Sequence, residues 1–265
     1  MPVNHADLHC DVHEGSGPWL LLVHGMLSSR AQWQPNLDAL SRVCRPVVIE
    51  LLGHGRSPSP SDPACYAPAS YVAAFEKIRR SLGAERWLIC GQSLGAALTL
   101  RYALERPEKV IAQVFTNSNS AVADARWGEM VRRGLGTMAV RLQREGRAAL
   151  EESPVHPRHS RHLPPEVRDA LVADCELHDP RGVGLTGVET VPPSSVREQL
   201  KQNSVPALMV LGTREKRFQR HADYIRAHMP ALEVVTAEVG HAVNIEAAPL
   251  FNEAVSEFVL RHAHA

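Results

Sequence analysis

In the first part of this 265-residue chain, apolar residues gather in short unbroken runs, and between the runs they recur at three- and four-residue spacing. The runs at 19–23, 46–50, 86–90 and 110–115 have the length of buried strands, and turn-forming residues bound them. The segments between them, 31–42, 69–82 and 96–105, carry the apolar stripe of amphipathic helices. Strand and helix in alternation predict an α/β fold with a mostly parallel central sheet and helices on both faces. After residue 115 the pattern changes. From about 118 to 203 only helical segments occur, among them 127–150 and 165–177, separated by turns such as His156-Pro157 and Val191-Pro192-Pro193. Sheet-like runs resume at 205, with 206–211 and the short Val234-Val235. The chain therefore reads as a core of residues 1–117 and 204–265, with a helical cap or lid, 118–203, inserted over the strand ends.

A cap in that position shapes a pocket, because ligands of open α/β sheets bind beyond the carboxyl ends of the strands. Trp127 and Met130, with Leu135 and Met138, are candidates to line it, and the same spacing equally suits the cap's own small core. Composition narrows the partners. Lys and Arg together number 29, as do Asp and Glu, so no charge excess points to nucleic acid or a membrane surface. No basic-then-apolar signal segment occupies residues 1–7, and no apolar run approaches membrane-spanning length. Five cysteines without metal-type spacing read as reduced thiols, Cys90 as a small buried strand residue. The expectation is a soluble cytoplasmic protein, monomer or homodimer, acting on a small molecule with no metal and no cofactor.

The chemistry concentrates at Gly91-Gln92-Ser93-Leu94-Gly95, where the run 86–90 passes into a helical segment starting at Leu94. A serine between two glycines at a strand-to-helix turn is the nucleophile-elbow pattern: the turn brings backbone too close for a Cβ on either side, and it lifts the serine hydroxyl clear of the sheet. The helix that follows turns its free N–H groups toward that hydroxyl, which suits an oxyanion forming beside it.

With the elbow, Leu22-Val23-His24-Gly25, Gly53-His54-Gly55-Arg56-Ser57 and Gly240-His241 make nearly the whole chain resemble the α/β-hydrolase superfamily, from an N-terminal hairpin to the last helix. The resemblance implies Ser93 as nucleophile and His241, in a loop after the last strand, as its base. The chain holds fourteen histidines, and His241 stands apart by its place after a strand and a glycine. Backbone N–H groups of Met26 and Leu94 are the implied oxyanion donors, and Gly25, Gln92 and Val243 join Trp127 and Met130 around the implied substrate pocket. At the first residue of the family's D-x-x-G-x-G-x-S loop this chain has Glu50, one methylene longer than the usual aspartate; the loop is read as structural, His54 included.

The third member of the triad departs from the family pattern. Its usual place, a G-x-x-D loop after the penultimate strand, reads Gly212-Thr213-Arg214-Glu215, so Glu215 is the expected acid. The alternative makes Glu215 one charge of a solvated run and leaves His241 oriented by Asp124, Asn117 or a backbone carbonyl. The resemblance extends to small carboxylesterases, enol-lactone hydrolases, carbon–carbon bond hydrolases and the menaquinone-pathway synthase. Serine at the elbow argues against haloalkane dehalogenases and epoxide hydrolases, which use aspartate there. The activity expected is hydrolysis of a small carboxylic ester or lactone through an acyl-enzyme. The alternatives are a carbon–carbon hydrolase or synthase-like lyase with the same Ser-His pair, or a ligand-binding protein without catalysis.

Overall fold

The computed structural model describes residues 7–263, so most of the N-terminal segment examined for a signal lies outside the described residues. Among the described residues there are seven strands: β1 Cys10–Val12, β2 Trp19–Val23, β3 Arg45–Ile49, β4 Trp87–Gly91, β5 Val110–Thr116, β6 Ala207–Gly212 and β7 Leu232–Ala237. They form one sheet in the order β1-β3-β2-β4-β5-β6-β7. Every neighbouring pair is parallel except β1 with β3, where Cys10 lies opposite Ile49. The N-terminal strand thus forms no hairpin with its successor; it pairs one strand further on.

The apolar runs are unbroken because helices cover both faces of the strands. In β2, Leu21 and Val23 face a core built with Phe75 and Tyr102, whereas Leu20 and Leu22 face the opposite core with Trp33, Phe251 and Phe258. The helices are α1 Gln34–Leu40, α2 Pro68–Ser81, α3 Leu94–Glu105, α4 Asn119–Val122, α5 Ala125–Glu145, α6 Arg147–Glu151, α7 Pro165–Cys175, α8 Pro180–Leu185, α9 Lys216–His228, α10 Val243–Glu246 and α11 Ala248–His262. The segment expected to be one helix over 127–150 is two, parted at Gly146, whose φ of 61° lies in the left-handed region that ends helices. No described helix is long and apolar enough to cross a membrane.

Between β5 and β6 the described chain is helices, turns and loops, with no strand. This insertion is tied to the loop after β3 and to the turn beyond it. Asp179 N–H donates to Gly53 O at 3.0 Å, Ser59 Oγ donates to Asp179 at 2.7 Å, Thr186 Oγ1 donates to Leu52 O at 2.9 Å, and Thr190 Oγ1 donates to Tyr66 O at 2.7 Å. Parallel strands end on one edge of the sheet, so the loops after β2, β4, β5, β6 and β7 converge there. Those loops carry His24-Gly25, Ser93, Asn117, Glu215 and His241.

Candidate active site

Ser93 occupies the turn between β4 and α3 with φ 53° and ψ −117°, a conformation that non-glycine residues rarely adopt. Close packing enforces it. A Cβ at Gly91 would lie 2.4 Å from Gly95 O, and one at Gly95 would lie 2.1 Å from Val23 O, so α3 starts in direct backbone contact with its own strand and with β2. Strain of this kind persists where the surroundings over-determine it, and it is typical of functional positions. The neighbouring strand thiol offers no competing nucleophile: Cys90 is fully buried, and burial pushes its thiol up.

The loop after β2 lies against the serine. A Cβ on Gly25 would sit 2.9 Å from Ser93 Cβ and 2.5 Å from Gln92 Oε1. His24, completely buried, accepts the Leu51 N–H on Nε2 at 3.0 Å, which puts the imidazole proton on Nδ1; that N–H donates to Gly25 O at 2.7 Å. Burial pushes His24 down to about 4, so it is neutral at physiological pH. The carbonyl it holds belongs to the same peptide unit as the Met26 N–H, whose direction is thereby fixed. Met26 N–H bonds to no described residue, and Leu94 N–H, first in α3, has no intrahelical acceptor. Leu94 follows Ser93 in the chain, and Gly25, the neighbour of Met26, packs against the Ser93 Cβ.

His241 reaches the same edge from the loop after β7. Its Nδ1 lies 2.8 Å from Glu215 Oε2, and the imidazole keeps 43% of its side-chain surface open against 18% for the carboxylate. Among the described residues no hydrogen bond joins His241 Nε2 to Ser93 Oγ; such contacts are often long without substrate. The backbone around His241 is held on three sides: Glu246 accepts Gly240 N–H and Ala242 N–H, each at 3.0 Å, and Gln92 Nε2 donates to His241 O at 3.3 Å.

Glu215 sits just beyond β6, as the G-x-x-D spacing predicts, and it is not a member of a solvated run. Oε2 accepts from Asn117 Nδ2 at 2.8 Å as well as from His241, and Oε1 accepts from Asn119 Nδ2 at 2.9 Å. Burial opposes its ionisation, but the hydrogen bond and charge of His241, with the two asparagines, outweigh that cost and hold the carboxyl below its usual range. Asn117 also bonds both ways with the end of β6, donating to Gly212 O and accepting Gly212 N–H, each at 2.9 Å. Asp124, the rival acid, instead caps α5 by accepting Trp127 N–H at 2.8 Å.

Several expected pocket residues have other surroundings. Val243 is fully buried in the core and closed to solvent, its Cγ2 2.9 Å from where a Cβ on Gly212 would stand, because α10 turns it inward beneath the His241 loop. Gln92 is 4% exposed and serves as a strut between the Gly25 and His241 loops. Trp127 and Met130 line a cleft of about 790 Å³ with Arg126, Arg133 and Arg220, and Met130 is 62% exposed. Where the insertion meets the loop after β2, Met26 Cε and Leu135 Cδ2 each approach the Cβ position of Gly187 to 3.6 Å. Asn117, named as a rival partner for His241, holds Glu215 instead, and Asn119 and Glu246 carry no motif of their own. The signal that could have found them was a run of polar residues directly after an apolar strand, and a carboxylate one helical turn beyond the histidine. Glu50 is buried with Oε2 on Arg56 N at 2.9 Å and Nε at 3.1 Å, and its extra methylene is accommodated at Gly55, where a Cβ would overlap the carboxylate at 2.0 Å.

Residues 18–248 match the model of the α/β hydrolase fold family. Carboxylesterase YbfK of Bacillus subtilis is 25% identical over 245 residues, 91% of this chain and 80% of that protein. Two solved structures share the architecture: the enol-lactonase from Burkholderia xenovorans LB400, with a TM-score of 0.82 at 21% identity over 98% of this chain and 99% of that one, and MenH from S. aureus, with a TM-score of 0.84 at 17% identity over 97% and 99%.

Proposed function

The chain belongs to the α/β-hydrolase family, and from that premise we propose that it is a serine hydrolase cleaving a small carboxylic ester or lactone through an acyl-enzyme on Ser93. One observation carries the reading: the 2.8 Å contact between His241 Nδ1 and a partly buried Glu215 whose carboxyl is held below its usual range, on the edge of the sheet that also carries Ser93. Glu215 holds the ring with its proton on Nδ1, which leaves Nε2 as the base. His241 takes the Ser93 proton as Oγ attacks the substrate carbonyl carbon. The carbonyl oxygen becomes an oxyanion and accepts from Met26 N–H and Leu94 N–H. Collapse of the tetrahedral intermediate expels the alkoxide, which receives its proton from His241. Water, deprotonated by the same ring, then releases the acid and restores Ser93. The insertion serves as the cap that excludes bulk water.

The names of carboxylesterase YbfK and of the enol-lactonase support an ester or lactone as the bond attacked. Reaction of the purified protein with a fluorophosphonate, followed by peptide mapping, tests the nucleophile, and turnover of p-nitrophenyl butyrate and of a five-membered enol lactone tests the bond. Label on Ser93 and hydrolysis of one of these are expected. An unlabelled protein would overturn the acyl-enzyme; a labelled protein that spares esters and lactones but cleaves a vinylogous diketone would move the reading to carbon–carbon hydrolysis. Ser93→Ala should retain the wild-type circular dichroism and lose label, with kcat falling by roughly 10⁶-fold.

A further inference from the structure

Three buried histidines form a column that the reaction above does not use. His24, His54 and His178 are each no more than 2% exposed. The His24 and His54 ring centroids lie 5.4 Å apart, and those of His54 and His178 lie 5.0 Å apart, edge to face. They come from different parts of the molecule: the loop after β2, the loop after β3, and the insertion between α7 and α8. Backbone bonds fix every tautomer. His54 Nε2 accepts Leu27 N–H at 3.2 Å, so its proton is on Nδ1, which donates to Leu52 O at 2.9 Å. His178 Nδ1 accepts Gly55 N–H at 2.9 Å, so its proton is on Nε2, which has no partner among the described residues.

Leu27 is the point where this column meets the chemistry. It follows Met26 directly and holds a φ of 52°, one of three non-glycine residues with positive φ in the described chain. Met26 is flanked by two peptide units, and an imidazole holds each: His24 the Gly25 carbonyl before it, His54 the Leu27 N–H after it. The Met26 N–H bonds to no described residue, so its direction rests on these two holds, one on each side. His54 in turn is sandwiched between His24 and a ring supplied by the insertion.

We propose that His54 and His178 are positioning residues that couple the seated insertion to the oxyanion donor: His178 packs His54 in place, and His54 holds the Met26–Leu27 peptide so that Met26 N–H stays directed at Ser93. The inference rests on the acyl-enzyme reading, since it is the oxyanion of that pathway which the donor serves. Its cost falls on the transition state, because the donor meets full negative charge only in the tetrahedral intermediate.

The test compares His54→Leu, His54→Gln and His178→Leu with wild type, using p-nitrophenyl butyrate and rates normalised to sites titrated with fluorophosphonate. Removing an oxyanion donor outright costs about 10²–10³-fold in kcat, and a misdirected one should cost about 10- to 100-fold. Both leucine variants should lose kcat to that extent with KM within about twofold, and a phenylboronic acid that forms the tetrahedral adduct should weaken in parallel with kcat/KM. His54→Gln, whose amide oxygen can stand in for Nε2 as acceptor, should recover most of the loss. Normal kcat per titrated site in the leucine variants, a loss confined to KM, or no rescue by glutamine would each overturn the proposal. Imidazole ¹⁵N resonances of the wild type supply a measurement that needs no variant to fold: adduct formation should shift His54 Nε2, and an unmoved resonance would equally overturn it. A wild type that neither labels nor turns over ester removes the acyl-enzyme reading and this inference with it, whereas a labelled, active wild type with undiminished leucine variants removes this inference alone.

Discussion

Glu215 shows how far a single residue can be read from sequence. Its place was legible because an apolar run followed by glycine marks a strand end, and the acid of this superfamily follows three residues later. Its surroundings were not, because Asn117 and Asn119 lie some hundred positions upstream and are uncharged. They are what permits a glutamate there: the longer side chain is held by three donors instead of by its own shortness. Glu215→Gln should therefore lower kcat by about 10³–10⁴-fold, as loss of a triad carboxylate does, with little change in KM. Asn117→Ala should cost less, on the order of tenfold, because Asn119 and His241 still hold the carboxylate. Steady-state kinetics checks both; an Asn117→Ala enzyme as impaired as Glu215→Gln would mean that Asn117 itself contacts the reacting groups. The folded carboxyl titrates below its usual range, so its contribution persists at mildly acidic pH and is lost only as pH falls through that lowered value.

At the scale of elements, the runs of buried strands were easy to read because both faces are covered, and the short pieces of the insertion were not. Periodicity carried the 127–150 segment through Gly146 because nothing in the pattern of apolar positions marks a left-handed backbone. Val243 was misplaced for a related reason: four residues of α10 are too few to show which side faces the core. Glycines separate what the insertion needs from what it tolerates. A Cβ at Gly182 in α8 would stand 1.9 Å from Ser59 Oγ and 2.7 Å from Gly53 Cα, so Gly182→Ala must push α8 off the loop that carries His54. A loss of about 1–3 kcal/mol in urea unfolding is expected, with faster cleavage of 125–203 by trypsin. Gly134 in α5 has nothing within 4 Å of its Cβ position, and Gly134→Ala should instead gain about 0.5–1 kcal/mol from helix propensity. If the two alanine variants had equal urea midpoints, the close seating of α8 on the Gly53 loop would be wrong.

For the molecule as a whole, balanced charge and fourteen histidines make pH the revealing variable. Exposed histidines that titrate alike in folded and unfolded chains contribute nothing to its stability profile; the buried column does, and His156 and His221, which burial also pushes down, add to it in the same direction. Burial pushes His24 down to about 4, His54 to about 3 and His178 to about 2, with the neighbouring rings adding to the last two. Once unfolded, each regains an ordinary value near 6.5, so below that pH the unfolded chain takes up protons that the folded one refuses. Stability is thus complete above about pH 6.5 and falls with decreasing pH until the folded values are reached, at about 1.4 kcal/mol per group per pH unit. Between pH 7.5 and 5.5 the three together should remove about 4 kcal/mol. Carboxylates held low, such as Glu215 and Glu76, stay ionised throughout that window in both states and add their own losses only below it. Urea midpoints at the two pH values, with an unchanged slope, measure the difference directly. His54→Gln should be less stable at pH 7.5 yet show a drop about 1.4 kcal/mol smaller, since glutamine does not titrate. A wild-type midpoint that held steady from pH 7.5 to 5.5 would mean that the column is hydrated or already charged in the folded protein, and the tautomers that clamp Met26 would then have no basis.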